Sequence, residues 1–381
     1  MRIYLDHNAT TPLRDEVAEA MTLTLREVYG NPSSTHAEGA AAKAALARAR
    51  EQVAGCLGAE PAEVIFTGSA TEANNTVLAQ QLEAGDEPGH IVTSRIEHPS
   101  VIAPCEWLEG AGARVTRLGV DTDGLLTPDA VFEALTPETR LVSLIWANNE
   151  TGVVQPIAGI ASGLRERGVR LHVDATQAIG KWPIDLRRVP ADYLSCSAHK
   201  FNGPKGTGCL VARTGAPVVP LLRGGPQERR LRGGTENLAG IVGMGVAAEL
   251  AQHELEGRMA HYAALRDQLW RGIEKRIDDV HRNGSTDHVL PNTLNLEFRG
   301  AAGEVLLEAL DLEGVAVSAG AACHSGSISP SHVLTAMGRT PEQARGCLRL
   351  SVGHGVDAAA IDRVCDLFAV LVPRARAADP A

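Results

Sequence analysis

Two residues of opposite charge stand in surroundings that invite chemistry: Asp174 in VRLHVDATQ (169–177) and Lys200 in SCSAHKFNGPKGTG (195–208). Val169, Leu171 and Val173 alternate with polar neighbours, which predicts a strand with the acid at its carboxyl end. The lysine follows a second expected strand, 189–194. It sits on a small, polar, Gly-flanked bend that leads into another apolar run, 208–212. By itself such a lysine reads as a solvated turn residue. Its other reading is a desolvated amine with a lowered pKa, able to form a Schiff base. Ligands of open α/β sheets bind beyond the carboxyl ends of the strands, and an acid and a lysine at successive strand ends favour this second reading. The pair suits pyridoxal phosphate, whose pyridine nitrogen a carboxylate keeps protonated and whose aldehyde an amine holds as an imine.

Other groups fall at comparable places. Gly68-Ser69-Ala70-Thr71-Glu72 joins an expected strand, 64–67, to a helix running through Leu82. Ser69 or Thr71 could be a simple N-cap. Beside the Asp174/Lys200 pair, the same turn reads as a phosphate site made of free backbone N–H groups and the helix dipole. His98 is either a satisfied loop histidine or an imidazole that stacks on a cofactor ring and shuttles protons. Asn149, also at a strand end, could donate to a ring oxygen. Arg349 lies within an apolar strand, 348–352, where either an internal ion pair or a substrate carboxylate would partner it. Cys323 lies in a run of small residues, which suggests an accessible nucleophile. Cys323 and His324 have no second ligand pair at zinc spacing, so no metal site is expected.

The elements that would hold these groups alternate. Expected strands at 64–67, 91–94, 115–118 and 141–146, with helices between them, predict a mostly parallel sheet wrapped by helices. Helices are expected at 15–28, 37–57, 239–256 and 259–277. The Gly-rich segment LLRGGPQERRLRGGTEN (221–237) carries Arg223, Arg229, Arg230 and Arg232, and reads as a mobile basic loop or an anion-contacting one. A composition change near Val280 marks a smaller unit with a strand at 293–298 and a helix at 303–312.

With 381 residues, 44% hydrophobic and 22% charged, the chain can bury the core of a two-domain globular enzyme. A net charge of −10 and 3% aromatic residues argue against a nucleic-acid surface. Seven irregularly spaced cysteines argue against a disulfide framework and for a reducing compartment. Without a signal-like start or an apolar run long enough for a membrane span, the expected location is the cytoplasm.

Taken together, the motifs resemble those of the cysteine desulfurases, class V members of the fold type I pyridoxal-phosphate transferases, in the branch with an extended cysteine loop. The similarity runs from YLDHNATTP at Tyr4, through GNPSSTH, GSATEANN, EHPSV, NNETGVVQPI, HVDATQAIGK, SAHKFNGPKGTG, GGTEN and SAGAACHSGSISPSHVL, to LRLSVG at Leu348. It implies an α/β fold, with a large cofactor-binding domain over 15–257 and a small α+β domain made of 1–14 and 258–381. It also implies that Lys200 carries the cofactor, Asp174 pairs with the pyridine nitrogen and His98 stacks on the ring. Asn149 and Gln177 would serve the phenolic-oxygen side. Ala70, Thr71, Ser197 and His199 would hold the phosphate, with Thr235 supplied by the partner chain of a homodimer. Asn8 and Arg349 would orient the carboxylate of L-cysteine, and Cys323 would accept its sulfur as a persulfide, leaving L-alanine. The implied acceptor is a protein of iron–sulfur assembly, tRNA thiolation or DNA phosphorothioation. Ala322-Cys323-His324-Ser325, with Gln227-Glu228-Arg229, also resembles selenocysteine lyases, the nearest alternative activity. A non-catalytic sulfur-transfer scaffold is the alternative from another class.

Overall fold

The computed structural model describes residues 2–82, 89–319 and 330–378. A short first strand, β1 (Ile3–Tyr4), precedes the strands of a large sheet: β2 (Val64–Thr67), β3 (His90–Ser94), β4 (Arg114–Leu118), β5 (Thr139–Ile145), β6 (Arg170–Asp174), β7 (Tyr193–Ser197) and β8 (Gly208–Ala212). These seven strands lie in the order β2-β8-β7-β6-β5-β3-β4. Only β8 runs against its neighbours; the others pair in parallel or share its two edges. Strands β2, β3, β7 and β8 are buried along their whole length, as a sheet covered on both faces requires.

The mostly parallel sheet is as expected, but one strand lies elsewhere. The run at 189–194 is strand only from Tyr193, and the strand continues through Ser197. Pro190 has no N–H to offer a ladder, and Ala191 N turns back to Val189 O (2.8 Å). Ser195 to Ser197, read as the start of a bend, therefore belong to β7. Lys200 sits on the single turn of 3-10 helix that follows, Ala198–Lys200.

The alanine-rich helix Ala37–Leu57 occupies its expected span and buries Ala42, Leu46, Ala49 and Val53. Small residues let it approach the helix Leu238–His253 closely. A Cβ on Gly245 would come 2.8 Å from Ala49 Cα, so only glycine fits that crossing.

A second hydrophobic core gathers Ile3, Leu5, Leu265, Leu269, Phe298, Leu306, Leu350 and Phe368. It lies against a four-stranded antiparallel sheet, β12-β13-β10-β9, built from β9 (Val280–Arg282), β10 (Thr293–Phe298), β12 (Ser318–Ala319) and β13 (Cys347–Ser351). Strand β11 (Val315–Ala316) pairs in parallel with β1. The first residues of the chain are thus woven into elements from its last quarter. The next residues, 6–12, cross back to the turn after β7, where Thr11 N donates to His199 O (2.9 Å) and Asn202 N to Thr11 Oγ1 (2.7 Å). Among the described residues no helix is long and apolar enough to cross a membrane.

Candidate active site

The carboxyl ends of the parallel strands open onto a cavity of about 200 Å³ lined by Ser69, Ala70, Thr71, His98, Ser100, Ile145, Asn149, Asp174, Thr176, Gln177, Ser197, His199 and Lys200. Nine residues singled out from sequence therefore share one wall-to-wall space: Ala70, Thr71, His98, Asn149, Asp174, Gln177, Ser197, His199 and Lys200.

Lys200 Nζ donates to the carbonyls of Asn8 and Ala9, each at 2.7 Å. Burial, and next the positive charge of Arg349, lower its pKa to about 8, against the pull of Asp6 and Asp174. With that pKa about a tenth of the amine is uncharged at pH 7, several hundred times the share at the ordinary value of 10.5, and the uncharged form is the one imine formation needs. Asp174 closes β6 and is 3% exposed. Its Oδ1 accepts from Thr176 N (3.0 Å) and its Oδ2 from Asn74 Nδ2 (2.8 Å), so each oxygen has a donor.

At the mouth of the helix Ala70–Ala79, Ser69 accepts from Glu72 N as the N-cap. The first intrahelical bond runs from Ala73 N to Ser69 O, so the amides of Ala70 and Thr71 precede the helix's own hydrogen bonds. Strand β8 passes directly behind this turn. A Cβ on Gly208 would meet Ser69 C at 2.6 Å and Ala70 N at 2.9 Å. Glu72 would repel an anion here, but Arg232 pairs with it (2.9 Å) and Gly68 N donates to it (2.7 Å). The N-cap reading of this turn is met by Ser69, and Ala70 and Thr71 behind it line the cavity.

His98 caps the helix Pro99–Gly110, and its Nδ1 accepts from Ser100 N (3.1 Å). Burial lowers its pKa, more than Asp174 raises it. His199 Nδ1 lies 3.1 Å from Thr10 Oγ1, and burial with the charge of Lys200 lowers its pKa to about 4. Both imidazoles are neutral at physiological pH.

Asn8 and Arg349 are adjacent to one another but outside the cavity lining. Asn8 Nδ2 donates to Asn149 O (3.2 Å) and Thr293 Oγ1 (2.9 Å), and its Oδ1 accepts from Asn292 (3.0 Å). Arg349 pairs with Asp6 (2.7 Å) and donates to Asn149 O (3.0 Å), the internal ion pair left open by the sequence. Its Nε is buried without a partner among the described residues, so this guanidinium keeps one donor in reserve. Gln177 uses both ends of its amide, accepting from Lys181 Nζ (2.9 Å) and donating to Asn8 O (2.8 Å).

Thr235 is exposed and does not line the cavity of its own chain. The basic segment that carries it is held rather than loose. Glu228 receives Arg50 on both oxygens (2.6 and 2.7 Å), Arg229 donates to Val64 O (2.8 Å), and Arg232 pairs with Glu72. Cys323 lies outside the described residues.

Four further residues line the cavity: Ser69, Ser100 and Thr176, which lie inside GSATEANN, EHPSV and HVDATQAIGK without a cofactor role of their own, and Ile145, which no motif contains. Asn74, behind Asp174, was also passed over. The sequence signals for it are its place in GSATEANN and its helical spacing, one turn after Ala70 on the same face.

Fold and site together define an enzyme built for pyridoxal phosphate. The aminotransferase class-V family profile matches residues 3–364, and the chain belongs to that family. Within the family its similarity is to cysteine desulfurases. A cysteine desulfurase of Cereibacter sphaeroides is 46% identical over 381 residues, 100% of this chain and 98% of that one. A solved NifS-like protein superposes with a TM-score of 0.92 at 36% identity, covering 98% of this chain and 100% of its own. SspA, solved in complex with cysteine, gives a TM-score of 0.81 at 37% identity over 92% of this chain and 99% of its own.

The family's cofactor fits the residues present. Thr176 lines the cavity, and its Oγ1 is buried with no hydrogen-bond partner among the described residues. Such an orphaned donor is costly unless a ligand satisfies it. An amine of lowered pKa, an aspartate side chain and leading helix amides in one cavity match the cofactor's aldehyde, ring nitrogen and phosphate respectively.

Proposed function

We propose that this chain removes the sulfur of L-cysteine, releases L-alanine and hands the sulfur to an acceptor protein. The observation that carries the reading is the convergence of Lys200, with its pKa near 8, Asp174 and His98 on one cavity at the strand ends. Pyridoxal phosphate would be held by Lys200 through its aldehyde and by Asp174 at the ring nitrogen. Asn149 and Gln177 would attend the phenolic oxygen, and Ala70, Thr71, Ser197 and His199 the phosphate. When bound, the cofactor supplies an electron sink for the pair released at the substrate Cα.

The chain's own groups do the rest. Lys200, once free of the cofactor, has the basicity to take a proton near neutral pH. His98, held neutral by burial, would carry a proton to a reacting atom in the cavity. Asn8 and Arg349 orient the substrate carboxylate, for which Arg349 has to loosen its hold on Asp6. The Cys323 thiolate attacks the substrate sulfur: an S–S bond forms, the Cβ–S bond breaks, and the carbon skeleton keeps the electron pair and is protonated to L-alanine. Sulfur on Cys323 is left as a persulfide.

In this reading residues 15–257 form the cofactor-binding unit, and 1–14 with 258–381 the unit bearing Cys323. Two copies form a homodimer, each lending Thr235 to the other's phosphate site. Acceptors of the stated chemistry belong to iron–sulfur assembly, tRNA thiolation or DNA phosphorothioation, and the cytoplasm is the compartment where such acceptors and reduced thiols coexist. Mass spectrometry after L-cysteine turnover tests the core of the proposal. One added sulfur on the peptide containing Cys323, with stoichiometric alanine, supports it; alanine from selenocysteine but not from cysteine replaces it with a selenocysteine lyase.

A further inference from the structure

Behind His98 and Asp174 lies a chain of hydrogen bonds in which every proton can be assigned. Asn74 is fully buried on the helix Ala70–Ala79. Its amide nitrogen lies 2.8 Å from Asp174 Oδ2 and 2.8 Å from Ser100 Oγ. A carboxylate only accepts, so the nitrogen and not the oxygen of the amide must face Asp174. One N–H goes to the acid and the other to the serine. The Asn74 carbonyl is left without a partner among the described residues, as expected if the two acceptors choose the amide's orientation.

Ser100 Oγ receives the Asn74 hydrogen, which leaves its own proton to point elsewhere. His98 Nδ1 is 2.8 Å away. The same Nδ1 also receives the backbone N–H of Ser100 at 3.1 Å. Both neighbours of Nδ1 are therefore donors, and a nitrogen flanked by donors has to be the acceptor of the ring. In neutral imidazole the proton then resides on Nε2. Charged groups around the ring pull in opposite senses, Asp174 favouring the imidazolium and Lys200 and His332 opposing it, while burial adds to the opposition.

We propose that Asn74 and Ser100 are positioning residues that lock His98 as the Nε2–H tautomer, so that the ring offers the cavity a proton donor rather than a base. The inference rests on the cavity being the reaction site, but the state of the ring can be read without turnover. Asp174 is thereby linked to His98 through two uncharged side chains: the acid orients the amide, the amide orients the hydroxyl, and the hydroxyl orients the ring.

The test is nitrogen NMR of the full-length protein labelled at histidine, with and without pyridoxal phosphate, His98 being assigned by its loss in His98→Gln. We expect a pyridine-type Nδ1 and a protonated Nε2. Ser100→Ala removes a donor from the neutral ring, so the His98 pKa should rise by about one unit, the worth of one ordinary hydrogen bond. Ser100→Thr, which keeps the hydroxyl, should restore it. Asn74→Leu, which removes the donor that turns the Ser100 hydroxyl toward Nδ1, should raise the His98 pKa in the same direction. A proton found on Nδ1 in the unsubstituted protein, or a His98 titration unmoved by Ser100→Ala, overturns the inference whatever the activity. If the tautomer is as stated but L-cysteine is not turned over, the proposed function fails and this inference stands.

Discussion

Two lysines, one buried and one half-buried, occupy neighbouring turns of the same sheet, and only the half-buried one reaches the cavity. Lys181, in the turns after β6, is 4% exposed and donates to Gln177 Oε1 (2.9 Å). Burial, with the charges of Lys200 and Arg349, lowers its pKa well below the ordinary lysine range. Lys200, in the turn after β7, is also lowered, to about 8, yet it lines the cavity and is held by two carbonyls from the segment after β1. Desolvation discharges an amine wherever it occurs. Reactivity needs, in addition, a space in which a ligand can meet that amine, and here the topology supplies the space at one turn and withholds it at the other.

The largest effect should come from exchanging the two sites' side chains for inert ones. Lys200→Ala should abolish covalent retention of pyridoxal phosphate and lower alanine release by at least about 10²–10⁴-fold. Borohydride reduction followed by peptide mapping reads the first, and alanine assay the second. Lys181→Met should leave the covalent label at position 200. A label found on Lys181 would break the contrast outright.

The pH dependence of cofactor uptake sharpens it. Only the neutral amine of Lys200 reacts, so uptake by cofactor-free protein should rise about tenfold per pH unit below its pKa and level off above about 8. An uptake rate still climbing toward 10.5, the ordinary lysine value, would mean that burial does not discharge Lys200.

A substitution in the wall should act through shape alone. Gly208→Ala forces a Cβ to within 2.6 Å of Ser69 C. We expect a loss of about 1–3 kcal/mol in urea unfolding and weaker cofactor retention, with the lysine chemistry otherwise unchanged.

The smallest effect concerns stability. A lysine with a folded-state pKa below its unfolded value binds fewer protons folded than unfolded, so stability rises with pH through the window between the two values. For Lys200 that window runs from about 8 to 10.5, and Lys181 adds a window of the same sign. Lys181→Met removes one contribution and should flatten the rise, by up to about one proton's worth of slope, in unfolding free energies measured across the alkaline range. An unchanged slope would show that Lys181 is charged in the folded protein.

Much of this was legible before any coordinates. The apolar alternation ending at Asp174, the Gly-Ser-Ala-Thr turn before a helix, and the alanine-rich run at 37–57 are local patterns, and each became the element it suggested. The strand before Lys200 begins later than its apolar content suggests, because Pro190 has no N–H for the ladder. The arginines at 229 and 232 looked like free cations because their partners, Val64 O and Glu72, lie more than a hundred residues away. Arg349 left two alternatives open for the same reason: Asp6, which engages it, stands at the other end of the chain.

By itself, then, the order of residues determined which side chains could do chemistry and at which strand ends they would stand, because strand alternation, glycine turns and helix caps depend on near neighbours. Only the tertiary structure decided their states. The carbonyls of Asn8 and Ala9 on the amine of Lys200, Asn74 between Asp174 and Ser100, and the closed surroundings that discharge Lys181 arise from residues brought together by burial of distant apolar segments. Electrostatics act through space, so the charge of each group is set by those meetings and not by its position along the chain.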